Sequence, residues 1–115
     1  MKLKEIIKIL NAKVITCEEK VDEVEVNLVG AADMMSEVLA FTNENALLLT
    51  GLTTPQVIRT AQMVDLCAIV LVRGKQPQEE TVALSEETGI PIIVTEDMLY
   101  VACGKLYEKG LPNIK

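Results

Sequence analysis

Three short, wholly apolar runs, Ala46–Leu49, Ala68–Val72 and Ile90–Val94, constrain this chain more than any other feature. None alternates apolar with polar residues, so none has a solvent face, and strands of this kind are covered on both sides. Between the first two runs, Val57, Ile58, Ala61 and Val64 recur at helical spacing; between the last two, Val82, Ala83 and Leu84 form the apolar part of a second helix. Pro55 and Pro77 stand where those helices begin, a position at which the missing N–H and fixed φ of proline cost nothing. Gly89 supplies the C-terminal stop of the second helix. Strands joined by single helices run parallel, with right-handed crossovers. The expected fold is α/β, a three-layer α/β/α sandwich with a mostly parallel sheet.

The rest of the chain adds to the edges of this unit. Leu3, Ile6, Ile7 and Leu10 predict a short amphipathic helix ended by Asn11, and Ala12–Thr16 a strand. Glu18–Glu23 is a charged connection. Val24–Val29 alternates and predicts a half-exposed edge strand broken by Gly30. Met34, Met35, Val38, Leu39 and Phe41 form the apolar face of a helix capped by Ala32 or Asp33. A last helix carries Met98, Leu99, Ala102, Leu106 and Tyr107, with Thr95 or Asp97 as its cap and Gly110 at its end.

Aromatic residues make up only 3% of the chain, so the core must be aliphatic. The net charge of −6 opposes binding to nucleic-acid phosphates and to anionic membrane surfaces, and no apolar run is long enough to span a bilayer. Neither nucleic acid nor membrane is an expected partner. Cys17, Cys67 and Cys103 are far apart, form no CxxC pair and have no histidine to join them, which argues against a zinc site. Unpaired thiols and the lack of a leader-like N-terminal run suit the cytoplasm.

Ligands of parallel sheets bind beyond the C-terminal ends of the strands. Here those ends lead into Thr50-Gly51-Leu52-Thr53-Thr54, Arg73-Gly74-Lys75-Gln76 and Thr95-Glu96-Asp97. The expected site residues are therefore Thr50, Gly51, Thr53, Thr54, Arg73, Gly74, Lys75 and Thr95. Two of these loops enter helix N-termini, where free N–H groups favour anions, and Arg73 and Lys75 add positive charge. A phosphate or nucleotide is the matching ligand class. No Walker loop or GxGxxG is present. Without histidine, acid–base catalysis needs a tuned carboxylate, lysine, cysteine or tyrosine, and none is marked for it. Glu96 and Asp97 read as helix caps, Asp65 lies at the opposite end of the sheet, and Cys103 has no activating neighbour in sequence. The chain is not expected to be an enzyme, nor to carry a cofactor or metal.

The stretch Ala46-Leu47-Leu48-Leu49-Thr50-Gly51-Leu52-Thr53-Thr54-Pro55, followed by Ala68-Ile69-Val70-Leu71-Val72-Arg73-Gly74-Lys75-Gln76-Pro77 and by Thr88-Gly89-Ile90-Pro91-Ile92-Ile93-Val94-Thr95, resembles the DRTGG domain family. The likeness covers nearly the whole chain and implies one stand-alone DRTGG-like domain over residues 1–115, similar to the N-terminal domain of HPr kinase/phosphorylase. It also implies a regulatory or assembly module whose associated catalysis lies elsewhere. The Asp-Arg-Thr-Gly-Gly signature itself is absent; Gly30-Ala31-Ala32-Asp33-Met34-Met35-Ser36 occupies the region where a glycine-led segment is expected.

The leading expectation is thus a non-catalytic regulatory or assembly domain acting through homo-oligomerisation and a regulatory protein partner. The alternative is a sensor of a small anionic ligand, and the weaker one a phosphotransferase-related enzyme. A homodimer is expected because half the residues of this small chain are hydrophobic, with Val24–Val29 and the Met34-Met35 pair as its contact.

Overall fold

The computed structural model describes residues 1–41 and 44–114. The helices are α1 (Leu3–Leu10), α2 (Met35–Phe41), α3 (Gln56–Met63), α4 (Glu79–Thr88) and α5 (Leu99–Glu108). The strands are β1 (Lys13–Val14), β2 (Leu28–Ala31), β3 (Ala46–Thr50), β4 (Ala68–Leu71) and β5 (Ile92–Val94). They form a five-stranded sheet in the order β1-β5-β4-β3-β2. The β2–β3, β3–β4 and β4–β5 pairs are parallel, and β1 joins β5 antiparallel. Every residue of β3, β4 and β5 is buried, as strands without alternation require.

Because β2 to β5 follow one another in sequence order, their three crossover helices share one face of the sheet. On that side Met35 and Val38 of α2 and Val57, Ile58 and Ala61 of α3 pack on Leu48, Ile69, Leu71 and Ile92. On the other, Leu3, Ile6 and Leu10 of α1 with Ala102 and Leu106 of α5 pack on Leu47, Leu49, Val70 and Ile93. Successive strand residues thus serve opposite cores. The result is the three-layer sandwich.

The edges differ from the sequence expectation. The strand expected over Val24–Val29 begins only at Leu28 and runs through Gly30, which lies inside β2 rather than ending it. Its earlier half is held by the N-terminus instead, through Leu3 N–H to the Val24 carbonyl and Val26 N–H to the Met1 carbonyl. The outer edge of β2 is also not bare. The Val29 N–H donates to the Pro112 carbonyl at 2.9 Å, and the Ile114 N–H to the Val29 carbonyl at 3.0 Å. The strand expected over Ala12–Thr16 shrinks to two residues, and the one over Ile90–Val94 starts at Ile92.

Helix faces differ too. Met35 is buried but Met34 is 60% exposed, so the methionine pair splits; Leu39, Met98 and Tyr107 are likewise exposed. The side chain of Phe41 lies outside the described residues. In α4 the buried residues are Thr81 and Ser85, while Ala83 is exposed and Val82 and Leu84 only half-buried. That polar inner face is satisfied by hydrogen bonds from the Thr81 hydroxyl to the Thr53 carbonyl and from the Ser85 hydroxyl to the Ile90 carbonyl. Among the described residues no helix is long and apolar enough to cross a membrane.

Candidate functional site

The C-terminal ends of β2, β3, β4 and β5 bring Asp33, Thr50–Thr54, Arg73–Lys75 and Thr95–Asp97 to one rim of the sheet. The sequential strand order leaves no topological switch point among the parallel strands, so this rim is an open surface rather than a crevice between helix layers.

Its most constrained part is the turn after β4. The Lys75 N–H donates to the Val72 carbonyl at 3.2 Å, and both central residues have positive φ, Arg73 at 59° and Gly74 at 64°. Two left-handed residues in succession make a type I′ turn, which glycine, asparagine and aspartate favour. Gly74 fits; Arg73 does not. The turn is pinned by its own backbone, with Arg73 N–H on the Asp97 carbonyl and Gly74 N–H on the Thr95 carbonyl, both at 2.8 Å. The Glu96 carboxylate lies against the Cα of Gly74, in the space a side chain there would need.

The turn aims Arg73 and Lys75 at Gly51. A methyl group added to Gly51 would stand 3.4 Å from Arg73 Nη2, 3.5 Å from Lys75 Nζ and 3.5 Å from Asp33 Oδ1. Among the described residues the ion pairs are those of the N-terminus and Lys2 with Glu25 and of Lys105 with Asp97. Among the described residues, neither Arg73 nor Lys75 therefore has a carboxylate within 4.0 Å. Nearby, the N–H groups of Thr53 and Thr54 donate to no other described group, and no side chain caps α3. The ensemble is a cradle of cationic and N–H donors suited to an anion's oxygens.

The expected residues divide. Gly51, Arg73, Gly74 and Lys75 meet at the cradle, whereas Thr54 lies in the loop between β3 and α3, where its carbonyl accepts the Val57 N–H. Thr50 is fully buried, and its hydroxyl donates to Asp33 Oδ1 at 3.0 Å while accepting the Leu52 N–H at 3.2 Å. Thr53 acts through its carbonyl, which accepts the Gln78 N–H and the Thr81 hydroxyl. Thr95 points inward: its hydroxyl donates to the Leu10 carbonyl at 2.8 Å and accepts the Asp97 N–H at 3.2 Å. Neither Thr95 nor Asp97 provides a side-chain cap for α5.

Asp33, expected only as a helix cap, is the residue sequence reasoning missed. Its Oδ1 accepts the Gly51 N–H at 2.7 Å as well as the Thr50 hydroxyl, clasping β2's end to β3's. The Gly51 N–H bond holds its carboxyl below the usual 3.8, against the opposing effect of burial, with help from Thr50 and the charges of Lys75 and Arg73. The available signal was positional, since Asp33 follows β2 just as the other rim residues follow their strands.

A depressed carboxyl contributes stability that is complete above its unfolded value and fades as pH falls through the lower folded value. Asp33→Asn should therefore flatten the acid limb of stability, read as the urea midpoint from neutral to acid pH. It should also tighten anion binding at the cradle by removing a negative charge. An unchanged acid limb would show that the clasp does not depend on ionisation.

Nucleophile chemistry finds little support. Burial raises the thiols of all three cysteines, Cys67 to about 11, so none is a thiolate at neutral pH. Asp97 is paired with Lys105 at 2.7 Å. Among the described residues no group of His, Cys, Asp and Glu could hold a metal ion.

No curated protein matches this sequence. One solved structure it resembles is that of the CBS and DRTGG domains of the regulatory region of Clostridium perfringens pyrophosphatase, complexed with the activator diadenosine tetraphosphate. The TM-score is 0.75 at 20% identity, over 96% of this chain and 47% of that one. The chain thus spans about half the length of that structure, and the likeness at this identity is one of fold. The DRTGG domain matches residues 5–106, from α1 through most of α5, and by that match the chain belongs to the DRTGG domain family.

Proposed function

We propose that this chain is a non-catalytic regulatory domain, working as one unit over residues 1–115, that senses a small phosphate-bearing anion at the rim. The observation that carries the reading is the convergence of Arg73 and Lys75 over Gly51, with no carboxylate of the described residues within 4.0 Å of either, in a chain of net charge −6. Two cations face the Asp33 carboxylate alone, whose Oδ1 is already engaged by the Gly51 N–H and the Thr50 hydroxyl, which leaves a net positive pair to favour an incoming anion, and a backbone lacking a Cβ at Gly51 lets it approach closely. The solved relative, a regulatory region with a nucleotide activator, supports the same class of role. Three unpaired thiols fit a reducing compartment, the cytoplasm.

Thermal-shift and calorimetric titration with phosphate, acetyl phosphate, AMP and ATP tests it. ATP should raise the melting temperature more than AMP, because ligand binding to the folded state alone stabilises by mass action and more phosphates engage more of the cradle. The response should shrink at high salt. No shift with any of the four at several millimolar would refute the sensor.

A second reading, regulation through association, is favoured by the tyrosines of α5, Tyr100 at 89% and Tyr107 at 77% exposed.

A further inference from the structure

The point above Gly51 that lies 3.4 Å from Arg73 Nη2 and 3.5 Å from Lys75 Nζ also lies 3.5 Å from Asp33 Oδ1. An anion drawn onto the two cations therefore brings one of its oxygens against a carboxylate. Two anionic oxygens at that range repel. A proton between them turns the repulsion into an O–H···O⁻ hydrogen bond, among the shortest and strongest that proteins make.

Asp33 is placed to accept such a bond. Its Oδ1 is taken up by the Gly51 N–H at 2.7 Å and the Thr50 hydroxyl at 3.0 Å, which fix the carboxylate at the end of β3. Its Oδ2 receives no hydrogen bond and no ion pair from the described residues, and the side chain is exposed to an incoming ligand. The proton does not come from Asp33 itself. The Gly51 N–H bond outweighs burial and, with Thr50, Lys75 and Arg73, holds the carboxyl below the usual 3.8. The other charges near it are Glu96, which lies against Gly74, and Glu37 in the first turn of α2; as carboxylates neither adds a cation. The ligand has to carry the proton.

We infer that the cradle selects phosphate species that carry an O–H, hydrogenphosphate and singly ionised terminal phosphates, over sulfate and phosphodiesters, with Asp33 Oδ2 accepting the ligand's proton. The inference rests on the anion reading of the rim and gives that site its selectivity. Near neutral pH, hydrogenphosphate and sulfate have equal charge and similar shape, but only the first keeps an O–H. A phosphate monoester gains its proton as pH falls toward its second ionisation, at about 6.

Calorimetric titration with phosphate, sulfate and AMP, in EDTA and from about pH 8 to about pH 5.5, tests it. That window lies above the usual carboxylate range and below that of lysine, so at the rim the ligand is the group that titrates. At neutral pH phosphate should bind at least about tenfold more tightly than sulfate, because a hydrogen bond to a charged group stands in place of a repulsion. AMP should tighten as pH falls from about 8 to about 6, while sulfate stays flat. Asp33→Asn keeps an oxygen for the Gly51 N–H but can turn an amide donor toward the ligand in place of Oδ2. Sulfate should then tighten, the preference for phosphate should collapse, and AMP should no longer tighten at low pH. Equal affinity of the wild type for phosphate and sulfate would overturn the selectivity and leave the anion cradle standing. A preference undiminished in Asp33→Asn would overturn Asp33 as its source. Phosphate binding that appears only on adding magnesium would mean that a cation bridges ligand and carboxylate, and would overturn the inference as well. Binding of none of the three at several millimolar would refute the cradle itself, and the selectivity with it.

Discussion

Arg73→Gly is expected to make the protein more stable and less able to bind an anion. Arg73 holds φ at 59°, a region that costs a residue with a Cβ roughly 1–2 kcal/mol. Glycine removes that strain but adds unfolded-state entropy of about 0.5–1 kcal/mol. The net gain should be about 0.5–1 kcal/mol, a rise of roughly 3–5 °C in melting temperature for a chain of this size. The turn itself should survive, because the backbone bonds of residues 73–75 to Asp97, Thr95 and Val72 need no arginine side chain. Affinity for ATP should fall at least about tenfold, since hydrogen bonds to charged groups are each worth about 1.5–3 kcal/mol. Arg73→Lys should keep the strain and part of the affinity, losing the bidentate fork. Together with the opposite effect expected of Asp33→Asn, these variants separate a functional residue from an accidental one. An affinity unchanged in Arg73→Gly would remove the cradle from consideration. Strain retained beside a ligand surface is the pattern expected where function opposes stability.

The second large effect is expected at Thr16, through stability alone. Thr16 and Ser85 are buried, with their hydroxyl oxygens 2.5 Å apart. The Ser85 hydroxyl donates to the Ile90 carbonyl at 2.5 Å, which uses its one proton. Thr16 must then donate to Ser85, while Thr16 Oγ1 accepts the Ile92 N–H at 2.9 Å. A single file of hydrogen bonds thus ties the residues after β1 to α4 and to the start of β5. Thr16→Val keeps the shape but strands the Ile92 N–H and one side of Ser85. A stranded buried donor or acceptor costs about 1–3 kcal/mol, so the loss should be about 2–4 kcal/mol, a large part of the stability of a small domain. Urea denaturation measures it. Ser85→Ala should cost about 1–3 kcal/mol, and the double variant less than the two together, because the groups share partners. A loss under about 0.5 kcal/mol for Thr16→Val would mean that water replaces the hydroxyl.

Three buried strands, their parallel order, the helices between them and the left-handed stop at Gly89, whose φ is 76°, were legible in the residues alone. Each of these rests on local information: an apolar run without alternation, a 3.6-residue period, a glycine after the last turn. The resemblance carried by the loops after β3 and β4 was legible for the same reason, and the family followed from it. Tertiary structure decided everything that depends on a distant partner. Asp33 became a clasp because Gly51 presents its N–H to it, and Thr95 turned from the rim because the Leu10 carbonyl needed a donor. Thr81 and Ser85 replaced aliphatic residues on the inner face of α4 because the Thr53 and Ile90 carbonyls lie beneath it. The Val24–Val29 strand moved toward the C-terminus because Met1–Leu3 holds its first half and Pro112–Ile114 lies along its second. Periodicity records which face of a segment meets apolar surroundings; it carries no record of which remote backbone group will need a hydrogen bond once the chain is folded, and that need set the edges, the helix faces and the members of the site.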